Sequence, residues 1–357
     1  MNHIDEGQTE FRKIQITGRS SYIISVPKRW VTSLGLKPGD PIAVKMLEDS
    51  SLILVPKQPL GKSELKEVVI SVAPEDGAAS MIRKMTALYM VGYNLIRVRA
   101  KKDRLTPNQR LSIKDFVRRK LIGAEIVTES SDEMVLQILF SYPELSAEAA
   151  LRRMLIMASS MHRDALLALK SLDKELASNV ISTDDEVDRF NIYVVRLLKL
   201  ALRDSRLIRD VGLESLVWSL GYRIATASLE EVADQAVKMA RNVLALEKPP
   251  ADALYRKILE YGQTGIALLE GALTALFKED YALAEKVASQ TEGTIAAERK
   301  IVEAMLEPKQ RLDAKTLSCL RLILESSKRV AECGKDIAEV ALNRTVEGGL
   351  TKSGPPK

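Results

Sequence analysis

Four carboxylates stand at helical spacing in the second half of this 357-residue chain. Asp184 and Asp188 are four residues apart, and so are Glu230 and Asp234, which puts each pair on one face of a helix. Val187, Val194, Leu198 and Ala201 mark the buried stripe of the first segment, and Val232, Ala236, Met239 and Val243 that of the second. Both acidic pairs therefore flank a core. Oxygen donors on neighbouring helices suit a hard or borderline cation, so a divalent metal or iron on Asp184, Asp188, Glu230 and Asp234 is one expectation. A plainer one is also open. Thr183 with Glu186 can form a capping box, with acidic residues favoured at a helix start.

The second set is basic. Residues 11–57 carry eight Lys+Arg against Asp40, Glu48 and Asp49. Arginine can grip guanine with two hydrogen bonds and lysine neutralises phosphate, so Arg12, Lys13, Arg19, Lys28 and Arg29 form the candidate contact set for double-stranded DNA. A further run, with twelve bases between Arg83 and Lys120 against Asp103 and Asp115, either extends that footprint or is a solvated face. The net charge of +5 is thus a basic front, because residues 144–357 hold 31 bases against 32 acids.

Composition narrows the rest. Aromatics are only 4%, too few for the stacking platforms of a single-strand binder. Two cysteines exclude a disulfide framework and a four-thiolate zinc site, and His3 and His162 alone exclude a histidine-rich centre. No glycine-rich phosphate loop, activated cysteine pair or serine–histidine arrangement appears, so no enzyme is expected. With no signal sequence and no long apolar run, a soluble cytoplasmic protein without a membrane span is expected.

Three textures must position these residues. From Phe11 to Lys57 short alternating strands are separated by turn signals: Phe11–Thr17, Tyr22–Val26, a helical turn through Arg29–Leu34 ended by Gly35, the turn Lys37-Pro38-Gly39-Asp40, and a hairpin of Pro41–Leu47 with Leu52–Val55. Fewer than 50 such residues bury little apolar surface, so a homodimer or higher homo-oligomer is expected. Residues 62–143 read β-α-β-α-β-β, a small α/β sandwich without a chemical motif. From Ala147 to Leu342 six long amphipathic segments follow, the first two at about 147–177 and 184–210, with Pro249-Pro250 dividing them three and three. Val232-Ala233-Asp234 with Met239-Ala240 echoes Val330-Ala331-Glu332 with Ile337-Ala338, a sign of duplication.

The segment Gly18-Arg19-Ser20-Ser21-Tyr22-Ile23-Ile24-Ser25-Val26-Pro27-Lys28-Arg29-Trp30, followed by Leu34-Gly35-Leu36-Lys37-Pro38-Gly39-Asp40, resembles the AbrB (SpoVT) and MazE swapped-hairpin DNA-binding family. That resemblance implies two chains interleaving hairpins into one barrel, with basic side chains on duplex DNA. The arginine pair that follows the proline in AbrB falls here on Val31 and Thr32, which places the chain nearer the antitoxin-like branch.

Asp184-Asp185-Glu186-Val187-Asp188, Leu229–Ala240 (LEEVADQAVKMA) and Arg329-Val330-Ala331-Glu332 with Asp336-Ile337-Ala338-Glu339 resemble the PhoU family. The resemblance implies tandem three-helix bundles, metal on the acidic pairs and phosphate-responsive control. In the second half Ala296 and Lys328 stand where acids are expected, so only one metal cluster is implied. Together the two resemblances suggest an archaeal type of PhoU protein with an AbrB-like head.

The expected architecture is multidomain: a dimeric all-β swapped-hairpin barrel at 9–58, the α/β sandwich at 62–143, an all-α PhoU-like region at 146–345 split near 249–250, and a flexible tail at 346–357. The expected function is a DNA-binding transcriptional regulator linked to phosphate uptake, its helical region a sensor or relay. The alternatives are an adaptor docked on a phosphate-transport component or signalling protein, with the barrel used only for dimerisation, and an antitoxin-like protein.

Overall fold

A computed structural model describes residues 10–18, 20–46, 50–56, 66–139 and 145–352. The chain divides into two compact units, Met1–Glu64 and Leu65–Lys357. Arg19, the turn at Glu48-Asp49 and both interdomain linkers lie outside the described residues.

In the first unit β1 (Gln15–Thr17) pairs antiparallel with β2 (Ser21–Ile23), and β3 (Ile42–Met46) pairs antiparallel with β4 (Leu52–Pro56). Between them lies the short helix α1 (Lys28–Ser33). Gly35 takes φ +62, and the amides of Gly35 and Leu36 return to the carbonyls of Thr32 and Val31, so the glycine ends the helix as its type requires. Asp40 closes the next turn by accepting from the Lys37 amide at 2.7 Å. The two hairpins remain separate two-stranded sheets, and no closed barrel forms among the described residues. None of the described residues of this unit is buried.

The second unit begins with a four-stranded sheet of order β5-β6-β8-β7, made of β5 (Glu67–Val72), β6 (Leu95–Ala100), β7 (Ala124–Glu129) and β8 (Glu133–Ile138). β5 and β6 are parallel, and the other pairings are antiparallel. The helices α2 (Ala78–Val91) and α3 (Pro107–Lys120) bury Met81, Met85, Tyr89, Ile113 and Phe116 against Ile96, Val98, Met134 and Leu136. Thr106 and Gln109 form a reciprocal capping box at the start of α3, and Arg118, Arg119 and Lys120 crowd its carbonyl end, where positive charge is favoured.

Six helices complete the unit: α4 (Ala147–Ser171), α5 (Lys174–Arg203), α6 (Trp218–Ala245), α7 (Asp252–Lys278), α8 (Tyr281–Met305) and α9 (Ala314–Lys352). Within each set of three, every helix touches the other two; α6 meets α9 and α4 meets α7 to join the halves. The echoed residues Val232, Ala233, Met239 and Ala240 on α6, and Val330, Ala331, Ile337 and Ala338 on α9, are all fully buried at matching places. Gly334 lets α9 approach α7, because a Cβ there would lie 3.0 Å from the Leu269 amide nitrogen. α9 also continues to Lys352, beyond the boundary expected at 345.

One expected helix start is corrected. The chain breaks at Leu172, which has φ +55, and Asp173 caps α5 by accepting from the Leu176 amide at 2.9 Å. Thr183 therefore sits inside α5 and donates to the Asn179 carbonyl instead of opening a capping box with Glu186. Propensity around Thr183 suited a cap, but the Asp173 cap ten residues earlier had already started the helix.

The sheet-bearing part docks on α5 through α2 and α3. Arg196 is only 4% exposed; its Nη1 donates to the carbonyls of Tyr89 and Tyr93 at the end of α2, and its guanidinium lies 4.8 Å from the centroid of the Tyr89 ring. A cation at the carbonyl end of a helix adds charge-assisted hydrogen bonds and complements the dipole. Arg196→Met would remove the charged donor from both carbonyls, leaving Tyr89 the bond from the Gly92 amide, and a loss of ~2–3 kcal/mol in denaturant unfolding free energy is expected. A change within the error of the measurement would show that this clamp is not holding the docked helices.

Candidate functional site

The acidic residues come from the middle of two neighbouring helices, Asp184 and Asp188 from α5, Glu230 and Asp234 from α6. Their flanking apolar residues, Val187, Val232 and Ala233, are buried, which holds the carboxylates at the rim of the core. Burial pushes Asp184 up to about 6, and the nearby charges of Asp188 and Asp234 add to the shift. Burial is also the largest cause raising Glu230 and Asp234, and both feel Asp188 as a like charge. The structure thus brings all four expected residues into one another's field.

It also fills that field with a cation. Lys120, the last residue of α3, places Nζ 2.6 Å from Asp188 Oδ2 and 2.6 Å from Asp185 Oδ1. Arg119 approaches Asp185 at 3.8 Å. Burial works to lower the Lys120 pKa, but its hydrogen bonds to Asp185 and Asp188 outweigh that and raise it. Among the described residues, no group of three or more His, Cys, Asp or Glu side chains is placed to hold a metal ion. As arranged, Asp185 and Asp188 hold an ammonium between them. His162, on α4, is fully buried, and burial lowers its pKa to about 4 and keeps the imidazole neutral.

The second three-helix set departs where its sequence departs. Glu298 is 8% exposed and takes Arg321 at 2.5 Å and Lys328 at 3.4 Å, while Glu292 pairs with Lys335 at 3.3 Å. Lys328, standing where an acid was expected, is itself the counter-ion.

In the first unit Arg12, Lys13, Lys28 and Arg29 are all exposed. Arg12 and Arg29 converge on one carboxylate: both pair with Glu10, Arg29 at 3.4 Å. A shallow depression of about 650 Å³ beside Arg29 is floored by Val26, Pro27, Trp30, Leu52 and Leu54. Part of the long basic run of the second unit is paired internally. Glu67 and Glu133 take Arg97, Glu133 takes Arg99, and Glu129 takes Arg110 and Lys114. Those four basic side chains are a paired surface, which favours the solvated-face reading over an extended footprint there.

The sequence offered no signal for Lys120 as partner of Asp188, because the two are 68 residues apart and belong to different layers. Asp185 and Arg196 were missed for the same reason.

Comparison with known families agrees with the two regions. Residues 151–243, spanning α4, α5 and α6, match the PhoU domain. Residues 15–62 match "Antidote-toxin recognition MazE, bacterial antitoxin". Among solved structures, the chain resembles PhoU from Pseudomonas aeruginosa at 22% identity and a TM-score of 0.48, covering 57% of this chain and 96% of that one. It also resembles the phosphate transport system regulatory protein PhoU from Streptococcus pneumoniae at 21% identity and a TM-score of 0.46, covering 57% and 94%. The comparison with curated proteins gave no match. Among the described residues, no helix is long and apolar enough to cross a membrane.

Because the folded-state pKa of Asp184 lies above the ordinary value of an aspartate, the folded chain binds this proton more readily than the unfolded one. Its carboxylate therefore costs stability at neutral pH, and that cost is relieved as pH falls from about 7 through about 6 towards 4. Asp184→Asn should raise the unfolding free energy at pH 7 by ~1–2 kcal/mol and flatten its pH dependence in that window. Destabilisation at pH 7 would mean that the Asp184 charge is attracted more strongly than it is repelled.

Proposed function

We propose that the chain is a DNA-binding transcriptional regulator linked to phosphate uptake, working as a homodimer whose PhoU domain senses or relays phosphate status. The observation that carries this reading is the coincidence of three properties in one short segment. Residues 15–62 match the MazE model, the same segment is basic, and none of its described residues is buried.

Apolar side chains on both hairpins support the dimer. Phe11, Ile14, Ile16, Tyr22, Val44, Met46 and Leu52 are all exposed, far more apolar surface than a free unit of this size should leave in water. A second copy interleaving its hairpins would cover them and double the basic set. Arg12, Lys13, Arg19, Lys28 and Arg29 then form the duplex-facing surface. Glu10 pairs with Arg12 and Arg29 without DNA and would yield them to phosphates, whose higher charge density makes them the stronger partner.

A second reading has its own observation. Val217, Leu220 and Ile224 are exposed together on α6 beside a cavity of about 270 Å³ floored by Arg344 and Tyr222, a surface suited to an adaptor that docks on a phosphate-transport component.

Duplex binding measured against salt separates the two. For the regulator, affinity falls steeply with salt, and Arg12→Ala with Arg29→Ala flattens the slope and weakens binding ~10–100-fold across sequences, as expected for lost phosphate contacts. An affinity unchanged in that double variant would remove these arginines from the interface. Absence of duplex binding by an intact wild-type dimer would select the adaptor.

A further inference from the structure

The acidic face of α5 and α6 poses an electrostatic problem that the chain solves in an unexpected way. Asp184, Asp185, Asp188, Glu230 and Asp234 crowd the middle of two adjacent helices, away from the α5 N-terminus that would stabilise them. Five such carboxylates need a counter-charge, because partial burial removes much of the screening by water. Lys120 provides one from another layer, to Asp185 and Asp188. Its side chain is 25% exposed and Asp188 31%, so the pair is neither a loose surface contact nor a fully desolvated one.

Two further observations give this contact a role. First, the second helical half neutralises its own buried acid by the same means, with Lys328 and Arg321 on Glu298. There the cation comes from inside the bundle; at Asp188 it comes from the sheet-bearing part. Second, the opposite end of the same docking interface is also a cation on α5 meeting a helix end, Arg196 on the carbonyls of Tyr89 and Tyr93 and Arg203 on that of Val91. The layers are therefore pinned at two points, α2 by arginines of α5 and α5 by the last residue of α3.

We infer that Lys120 is the resident counter-ion of this acidic face, standing in place of a metal, so that the carboxylates of the PhoU domain latch the sheet-bearing part onto the helical body. Asp185 and Asp188 are compensated while the two parts are docked and are left without their cation when they separate. Docking and the charge state of the face are one equilibrium.

A double-mutant cycle on the full chain tests this, using thermal unfolding of wild type, Lys120→Met, Asp188→Asn and the double variant, each with EDTA and with manganese chloride. Each single variant is expected to lower Tm by several degrees. The double variant should fall no further than the worse single one, since the second change removes a charge already without its partner. Wild-type Tm should respond to neither EDTA nor manganese. In wild type, Lys120 should react with an amine-acylating reagent ~10-fold more slowly than Lys101 or Lys102, both exposed on the loop after β6, as read by mass spectrometry. Additive Tm losses would overturn the latch. So would a stoichiometric metal in the purified protein whose removal lowers wild-type Tm, or Lys120 acylating as fast as Lys102. The acylation and metal measurements use wild type alone and decide the matter even where a variant does not fold.

Discussion

A chain segment that cannot bury its own apolar side chains dictates how the first unit must exist. Two hairpins of three to five residues per strand and one helix of six residues leave every described side chain at least partly in water. Ile14, Ile16, Val44 and Met46 would each give up most of the stabilisation that burial of such a side chain supplies, roughly 1.5–3 kcal/mol apiece. Association is the available remedy. In the proposed dimer a second copy would both complete the core and bring a second set of arginines and lysines alongside the first, giving oligomerisation and polyanion binding one physical origin.

The second unit faces the converse problem. Its core is ample, spanning all six long helices, and the demanding residues are charged. Asp188 in mid-helix, a buried arginine and carbonyls at the end of α2 find partners across layer boundaries. Hydrophobic packing holds the bundle together, while directional ionic contacts set where the sheet-bearing part sits on it. Such contacts contribute modestly to net stability and strongly to geometry, because removing either partner strands the other.

Local chemistry was legible from residue order alone. Gly35 marks the end of α1, Lys37-Pro38-Gly39-Asp40 closes a turn, and Pro249-Pro250 separates the helical halves, because each depends on backbone angles fixed within a few residues. The repeat was visible through Val232 and Val330, whose burial follows from the helical period. Long-range pairing was not. Thr183 carried the correct residues for a cap yet lies inside a helix begun at Asp173, and Lys120 looked like one base among twelve. Nothing in composition distinguishes the bases spent on Glu67, Glu129 and Glu133 from those facing outward. The acidic quartet was found because its period is local; its counter-ion was hidden because it arrives from another layer.

The account turns on the first unit being completed by a second copy, and sedimentation equilibrium of the full chain tests that directly. The wild type is expected to sediment as a homodimer or a multiple of one at micromolar concentration. Ile16→Lys with Val44→Lys, which places charges on the apolar faces of both hairpins, should yield a monomer that no longer retains duplex DNA. A wild-type monomer whose first unit is nevertheless protected from hydrogen exchange would contradict the account, since that segment would then be stable without the partner that its exposed side chains require.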